Sequence, residues 1–376
     1  MKPASRLDGI ELSLIRQINA LATPLSVNLG IGEPNLEPDG ELREMAARAS
    51  RVPWRYTLNA GTIELRRGIA ASMSASYDPA SEICVTAGTE EGLFTVFQSF
   101  LEPGDEVLVP NPGFLAYATV ASLAGAMSVS YALDPNGWRV DLDDLASKIS
   151  GKTKCIVVNS PSNPLGATVD VDTLRRIVEL TEGRDCLVLS DEVYGQIYYG
   201  QKPASMAGMG ANVIVLNGLS KSHGMTGLRL GWIAAAESLM TPIVRMHQYV
   251  TTCASVFSQA LAGMILENET WNRSWLEQMR AQFSMQQEVA LYAIHRDLEA
   301  VIPKPSGAFY AFVPVPFCNT TVFARELATE AAVLTIPGVA FGSAGEGFLR
   351  ISYAASVDQI GSGIERIGRY LKTLNR

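Results

Sequence analysis

Lys221 stands in the stretch Asn217-Gly-Leu-Ser-Lys221-Ser-His-Gly-Met-Thr-Gly-Leu-Arg229-Leu-Gly-Trp232, just after the apolar run Val213-Ile-Val-Leu216. Glycines at 218, 224, 227 and 231 let the backbone bend closely around a ligand. Arg229 follows as a fixed cation for an anionic group. A lysine and an arginine on one Gly/Ser-rich loop suit a particular task. The lysine can form a Schiff base with an aldehyde cofactor whose phosphate the same loop holds. The plainer alternative is a surface loop that carries a Lys and an Arg.

The surrounding pattern says what must position this loop. Residues 83–86 read as a strand, 90–101 as a helix, 106–110 as a strand and 115–124 as a helix. Residues 155–159 read as a strand and 171–180 as a helix, followed by strands at 186–190 and 213–216. This alternation predicts an α/β fold, a large domain whose mostly parallel sheet is flanked by helices in three layers. In such sheets ligands bind beyond the carboxyl ends of the strands. Gly88-Thr89, the 159–163 turn, Asp191 and Lys221 each follow a strand, so four strand ends meet on one rim. Residues 275–295 read as one long helix, and the part from Gly307 onward as a smaller α+β unit ending in a helix over 357–374. Residues 1–44 are expected to pack with that unit. The predicted organisation is therefore a large domain, 45–275, and a small α+β domain built from both chain ends, 1–44 and 276–376.

Composition narrows the classes. The 376 residues are 47% apolar and 18% charged, enough for a sizeable core and unlike a disordered chain. A net charge of −8 without a basic stripe argues against nucleic acid as the main partner. Five dispersed cysteines without a CxxC pair read as reduced thiols in a cytoplasmic protein. The N-terminus lacks the pattern of a signal peptide, and no run approaches the roughly 18 apolar residues of a membrane helix. His223, His247 and His295 show no metal-ligand spacing, so no metal is expected. His223 reads as a loop histidine, and Arg66 and Arg67 as a solvated helix face.

Eight motifs, in order along the chain, carry a resemblance. They are Gly30-Ile-Gly32-Glu-Pro34, Tyr56-Thr-Leu-Asn-Ala-Gly61-Thr-Ile-Glu-Leu-Arg66, Ala87-Gly88-Thr89-Glu90, Asn111-Pro-Gly-Phe114, Ser162-Asn163-Pro164-Leu-Gly166, Asp191-Glu-Val-Tyr194, the Lys221 segment, and Phe341-Gly-Ser-Ala-Gly-Glu-Gly-Phe-Leu-Arg350. Over nearly its whole length the chain resembles the fold-type I aminotransferases of class I/II. The resemblance implies pyridoxal 5′-phosphate as cofactor, with Lys221 as its Schiff-base lysine and later the base that moves the substrate α-proton. A lysine near a cation and partly desolvated has the lowered pKa this needs. The resemblance sets Asp191 against the pyridine nitrogen, and Asn163 and Tyr194 against the phenolic oxygen. Gly88, Thr89 and Glu90 open a helix whose free N–H groups favour a phosphate. Glu90, an acid, contributes only its backbone there, while Ser220 and Arg229 add a hydroxyl and a forked cation. Many relatives carry Ser or Thr where this chain has Gly218. Tyr56 resembles the tyrosine that reaches the phosphate of the neighbouring subunit, which implies a homodimer. Phe114 takes the place of the aromatic ring stacked on the cofactor. Arg350 matches the arginine that forks the substrate α-carboxylate, Asn163 helps to position that carboxylate, and Gly32 lets the backbone approach the same group. On the residues alone Asp191 also reads as a helix cap, Asn163-Pro as an ordinary turn, and Tyr56 and Phe114 as core aromatics.

The implied activity is a ping-pong transfer of an amino group between an L-amino acid and a 2-oxo acid. The same constellation admits C–S β-elimination, cyclisation or decarboxylation, because fold and cofactor do not fix the reaction. A cofactor-sensing regulator is disfavoured by the negative charge. A nicotinamide dehydrogenase is disfavoured because Gly30-Ile-Gly32 runs into Glu-Pro, not into a helix. Residues 10–16, Ile31 and Trp54 are candidates for the wall around the substrate side chain.

Overall fold

A computed structural model describes residues 1–374. In chain order its strands are β1 (Val27–Asn28), β2 (Ile83–Thr86), β3 (Glu106–Asn111), β4 (Met127–Asp134), β5 (Arg139–Val140), β6 (Thr153–Asn159), β7 (Leu187–Asp191), β8 (Val213–Gly218), β9 (Gly231–Ala234), β10 (Tyr310–Pro314), β11 (Val333–Leu334), β12 (Ile336–Pro337) and β13 (Phe348–Ser352). Eight of them form one sheet in the order β2-β9-β8-β7-β6-β3-β4-β5. The neighbours from β8 through β7, β6 and β3 to β4 pair in parallel. Only β9 and β5 run against their neighbours.

The central strands are apolar on both faces, as a parallel sheet covered by helices requires. Leu187 and Leu189 point into one core with Ile214 and Leu216. Val188 points into the opposite one with Val213 and Val215. Helices Thr89–Phe100, Ala116–Leu123 and Glu237–Val250 cover the first face through Leu93, Val96, Phe97, Val120 and Ile243. Helices Leu142–Lys148 and Val171–Glu179 cover the other through Leu145, Leu174 and Ile177. The result is an α/β three-layer arrangement.

A second core gathers around β10-β13-β12. Ile18, Val27 and Leu29 from the chain's start join Phe312, Leu334, Leu349 and Ile364 there, and β1 pairs in parallel with β11. The helix Glu269–Leu298 runs along the C-terminal helix Val357–Leu374 and extends toward the large sheet.

Three features depart from the sequence reading. β4 does not stand out because its outer position leaves most of its residues partly exposed, and only Tyr131 is fully covered. β9, only four residues with a glycine at its head, hides at the end of the Lys221 loop. Arg66 is not on a solvated face: it is buried and donates from Nη1 to the Ala80 carbonyl at 3.0 Å.

Candidate active site

The carboxyl ends of β2, β3, β6, β7 and β8 meet the start of antiparallel β9 on one rim, because reversing β9 brings its first residue to that edge. A cavity of about 630 Å3 opens there, within the range of small-molecule sites. Lys221, Asp191, Tyr194, Asn163, Ser220, Arg229, Thr89, Glu90, Phe114, Gly32 and Arg350 all line it.

Lys221 follows β8 and donates from Nζ to the Gly32 carbonyl at 2.8 Å. Its pKa falls to about 8, first through burial, then through the charges of Arg350 and Arg229, with Glu33 and Asp191 opposing. An amine tuned this way is partly free at neutral pH, as a nucleophile or base requires.

Asp191 ends β7 and is 8% exposed. Its Oδ2 accepts from the Tyr117 hydroxyl at 2.7 Å and its Oδ1 from the Val193 N–H at 3.2 Å. Burial raises its pKa, and these bonds and the Lys221 charge pull it back. Phe114 meets Tyr117 edge-on, so one aromatic pair serves both the cavity wall and the carboxylate.

Arg350, in β13, is 1% exposed, yet no carboxylate among the described residues lies within ion-pair distance. It donates to the Asn163 Oδ1 at 2.9 Å and to the Gly30 carbonyl, and its Nε has no partner. Tyr310 and Phe341 present their rings to the guanidinium at 4.5 and 4.9 Å. Buried charges are ordinarily paired. This one is held rigidly at a cavity wall, suited to an anion that enters. Because Oδ1 of Asn163 is taken by Arg350, its Nδ2 remains a donor. The backbone N–H of Asn163 is fixed on Asn159 at 2.8 Å.

A second place suited to an anion lies at the start of the helix Thr89–Phe100. Its N-cap, Gly88, offers no side-chain cap and has φ +92°, a conformation L side chains rarely adopt. A Cβ there would stand 2.7 Å from the Arg229 guanidinium. The glycine therefore lets arginine and helix N-terminus approach one place, a combination that favours phosphate. Glu91 accepts the Ala87 N–H at 3.0 Å and contacts buried His247 at 3.1 Å, bracing this turn from behind. These features fit a cofactor with an aldehyde, a phosphate and a ring nitrogen: a tuned lysine, an anion cradle and a buried carboxylate share one cavity.

Some expectations change. Gly88 shapes the cradle without itself lining the cavity, whereas Tyr56, expected to serve a neighbouring subunit, is 86% exposed and does not line this chain's cavity. Glu90 is exposed at the cavity wall. Trp54 is 83% exposed and lines nothing here, whereas Ser13, Ile15, Arg16 and Ile31 do line the cavity. His223 is not a free loop residue: it is buried, stacked on Trp275, and bonded to Ser222 and Asn272. Tyr117, Tyr310 and Phe341 were not expected. Phe341 opens a motif already noted and Tyr310 lies in the smaller unit from Gly307 onward, but apolar context marks such aromatics as core. Among the described residues no helix is long and apolar enough to cross a membrane, and no cluster of His, Cys, Asp or Glu could hold a metal.

Comparison with known proteins gives a consistent result. The model of the family "Aminotransferase class I and II" matches residues 26–367. The chain is 34% identical to aromatic-amino-acid aminotransferase 2 of Thermococcus litoralis, with 99% of each chain covered. It is 33% identical to an aspartate aminotransferase of Pyrococcus abyssi, again over 99% of each. The structure of Thermus thermophilus aspartate aminotransferase with maleate superposes with a TM-score of 0.92 at 29% identity, covering 98% of this chain and 99% of that one.

Proposed function

Because the chain belongs to the class I and II aminotransferases, we propose that this cavity is where it performs that family's pyridoxal-phosphate-dependent transfer of an amino group between an amino acid and a 2-oxo acid. The observation that carries the assignment is Arg350: a buried cation with no carboxylate partner among the described residues, on the same wall system as a lysine tuned to about 8.

When bound, pyridoxal phosphate supplies an aldehyde that captures amines and a ring that accepts the electron pair left by a departing α-proton. The chain's residues supply the rest. Lys221 would hold the aldehyde carbon through Nζ. Ser220, Arg229 and the N–H groups of Thr89 and Glu90 beyond Gly88 would hold the phosphate. Asp191, oriented by Tyr117, would keep the ring nitrogen protonated, and Phe114 would lie against the ring face. Asn163 through Nδ2 and Tyr194 through its hydroxyl would donate to the phenolic oxygen. Arg350 would fork the substrate α-carboxylate, with the Gly32 backbone beside it. Displaced from that carbon by the substrate's own amino group, the freed Lys221 amine would be placed to take the proton from the substrate Cα. In a ping-pong cycle the same groups act in reverse on the second substrate.

Acidic and aromatic amino acids are the donors to test first. Relatives named for aspartate and for aromatic substrates both match. The cavity wall offers Arg16 as a cation and Ile15, Ile31 and Leu93 as apolar surface. We further read the protein as a cytoplasmic homodimer that acts on neither nucleic acid nor membranes. Exposed Trp54, Tyr56, Leu58 and Tyr249 form apolar surface that a second copy would cover, with Tyr56 reaching its phosphate. The division into 45–275 and a smaller unit of 1–44 with 276–376 is supported by the pairing of β1 with β11, with the helix Gly40–Ala49 crossing the boundary. The test is Lys221→Ala. It should still bind the cofactor and lose turnover by orders of magnitude, and near-normal turnover would sink the assignment.

A further inference from the structure

One hydroxyl at the site is not accounted for by the roles above. Tyr310, at the head of β10, is 1% exposed, and its hydroxyl lies 2.8 Å from the hydroxyl of Tyr194. The two rings meet edge to face, with centroids 5.7 Å apart. The Tyr310 ring also covers Arg350 at 4.5 Å. A Cβ on Gly32 would stand 2.3 Å from the Tyr310 hydroxyl, so the glycine is what leaves room for it. Gly32 in turn accepts from Lys221. One side chain on the smaller core thus reaches Tyr194, Arg350 and the residue that holds the lysine.

The pair has two protons and one mutual hydrogen bond. If Tyr194 donates to Tyr310, Tyr194 has no proton left for the cavity. If Tyr310 donates to Tyr194, the Tyr194 proton is free to point at an acceptor. We propose that Tyr310 is a positioning residue that donates to Tyr194 and so commits the Tyr194 proton to the cofactor's phenolic oxygen. This rests on the role given to Tyr194 above. A donor that itself accepts a hydrogen bond is polarised, so the bond from Tyr194 strengthens. Stronger donation favours the oxyanion form of that oxygen and lowers the pH at which the cofactor's visible band titrates.

Tyr310→Phe removes the proton and keeps the ring over Arg350, so the fold and the carboxylate contact are preserved. The readout is the pH midpoint of the cofactor band, measured without substrate in wild type, Tyr310→Phe, Tyr194→Phe and the double variant. Strengthening of about 10–30% per bond in a chain predicts a rise of roughly 0.3 pH unit in Tyr310→Phe. Tyr194→Phe should raise it further, and adding Tyr310→Phe to that background should change nothing more. The amino-acid KM of Tyr310→Phe should stay within about twofold, because the ring on the guanidinium remains. An unchanged midpoint in Tyr310→Phe overturns the proposal, as does a shift that persists undiminished without the Tyr194 hydroxyl. A wild-type protein that takes up no cofactor overturns the underlying site assignment and this inference with it, a result distinct from either.

Discussion

Replacing Lys221 by methionine should make the cofactor-free protein more stable at neutral pH, because the site holds a charge that burial disfavours. The lysine pKa falls from 10.5 to about 8 in the folded chain. At about 1.36 kcal/mol per pH unit, that difference costs the folded state about 3 kcal/mol wherever the lysine is protonated in both states. Methionine also forfeits the bond to the Gly32 carbonyl, a loss of about 1 kcal/mol. Lys221 is partly exposed, and solvent screening lowers the first figure. The net expectation is a gain of about 1–2 kcal/mol at pH 7. The sign follows from linkage. Below pH 8 both states carry the proton and the penalty is complete. Between about 8 and 10.5 the unfolded chain holds the proton and the folded chain does not, so wild-type stability climbs with pH. The methionine advantage should therefore shrink as pH rises through this window. Urea unfolding of both proteins at pH 7 and pH 10 measures it. A variant less stable than wild type at pH 7, or a difference that does not depend on pH, would refute the reasoning.

Two further substitutions probe the anion sites. Arg350→Lys keeps the charge and loses the fork. Removing one charge-assisted bond of about 1.5–3 kcal/mol should lower kcat/KM about 10- to 150-fold, with the cofactor spectrum unchanged; steady-state kinetics showing less than a threefold loss would remove Arg350 from substrate binding. Gly88→Ala must hold φ +92° and place a Cβ 2.7 Å from Arg229, so cofactor affinity should fall about tenfold or more in a fluorescence titration. Unchanged affinity would separate this turn from the phosphate.

What could be seen in the sequence follows from how each element is stabilised. β7 and β8 are buried on both faces and announce themselves as apolar runs. β4 is half-exposed, so its residues carry no such signal. Asp191, Asn163, Tyr194 and Lys221 could be located because each sits at or just past the end of a strand, where polar residues interrupt apolar sequence, and Arg350 because it is a lone charge inside one. Tyr117 and Tyr310 could not be found that way. Both lie inside buried elements, and only the fold shows one hydroxyl on Asp191 and the other on Tyr194. Arg66 illustrates the opposite error: its helical pattern allows an exposed face, but the Ala80 carbonyl across the turn captures it.

The decisive experiment is an absorbance scan of the purified protein with pyridoxal phosphate, repeated after each common amino acid and then after a 2-oxo acid. The site described here predicts a visible cofactor band that an acidic or aromatic amino acid abolishes once per site, and that a 2-oxo acid restores. A band that no amino acid alters, or one that persists while product accumulates without an oxo-acid acceptor, would contradict it.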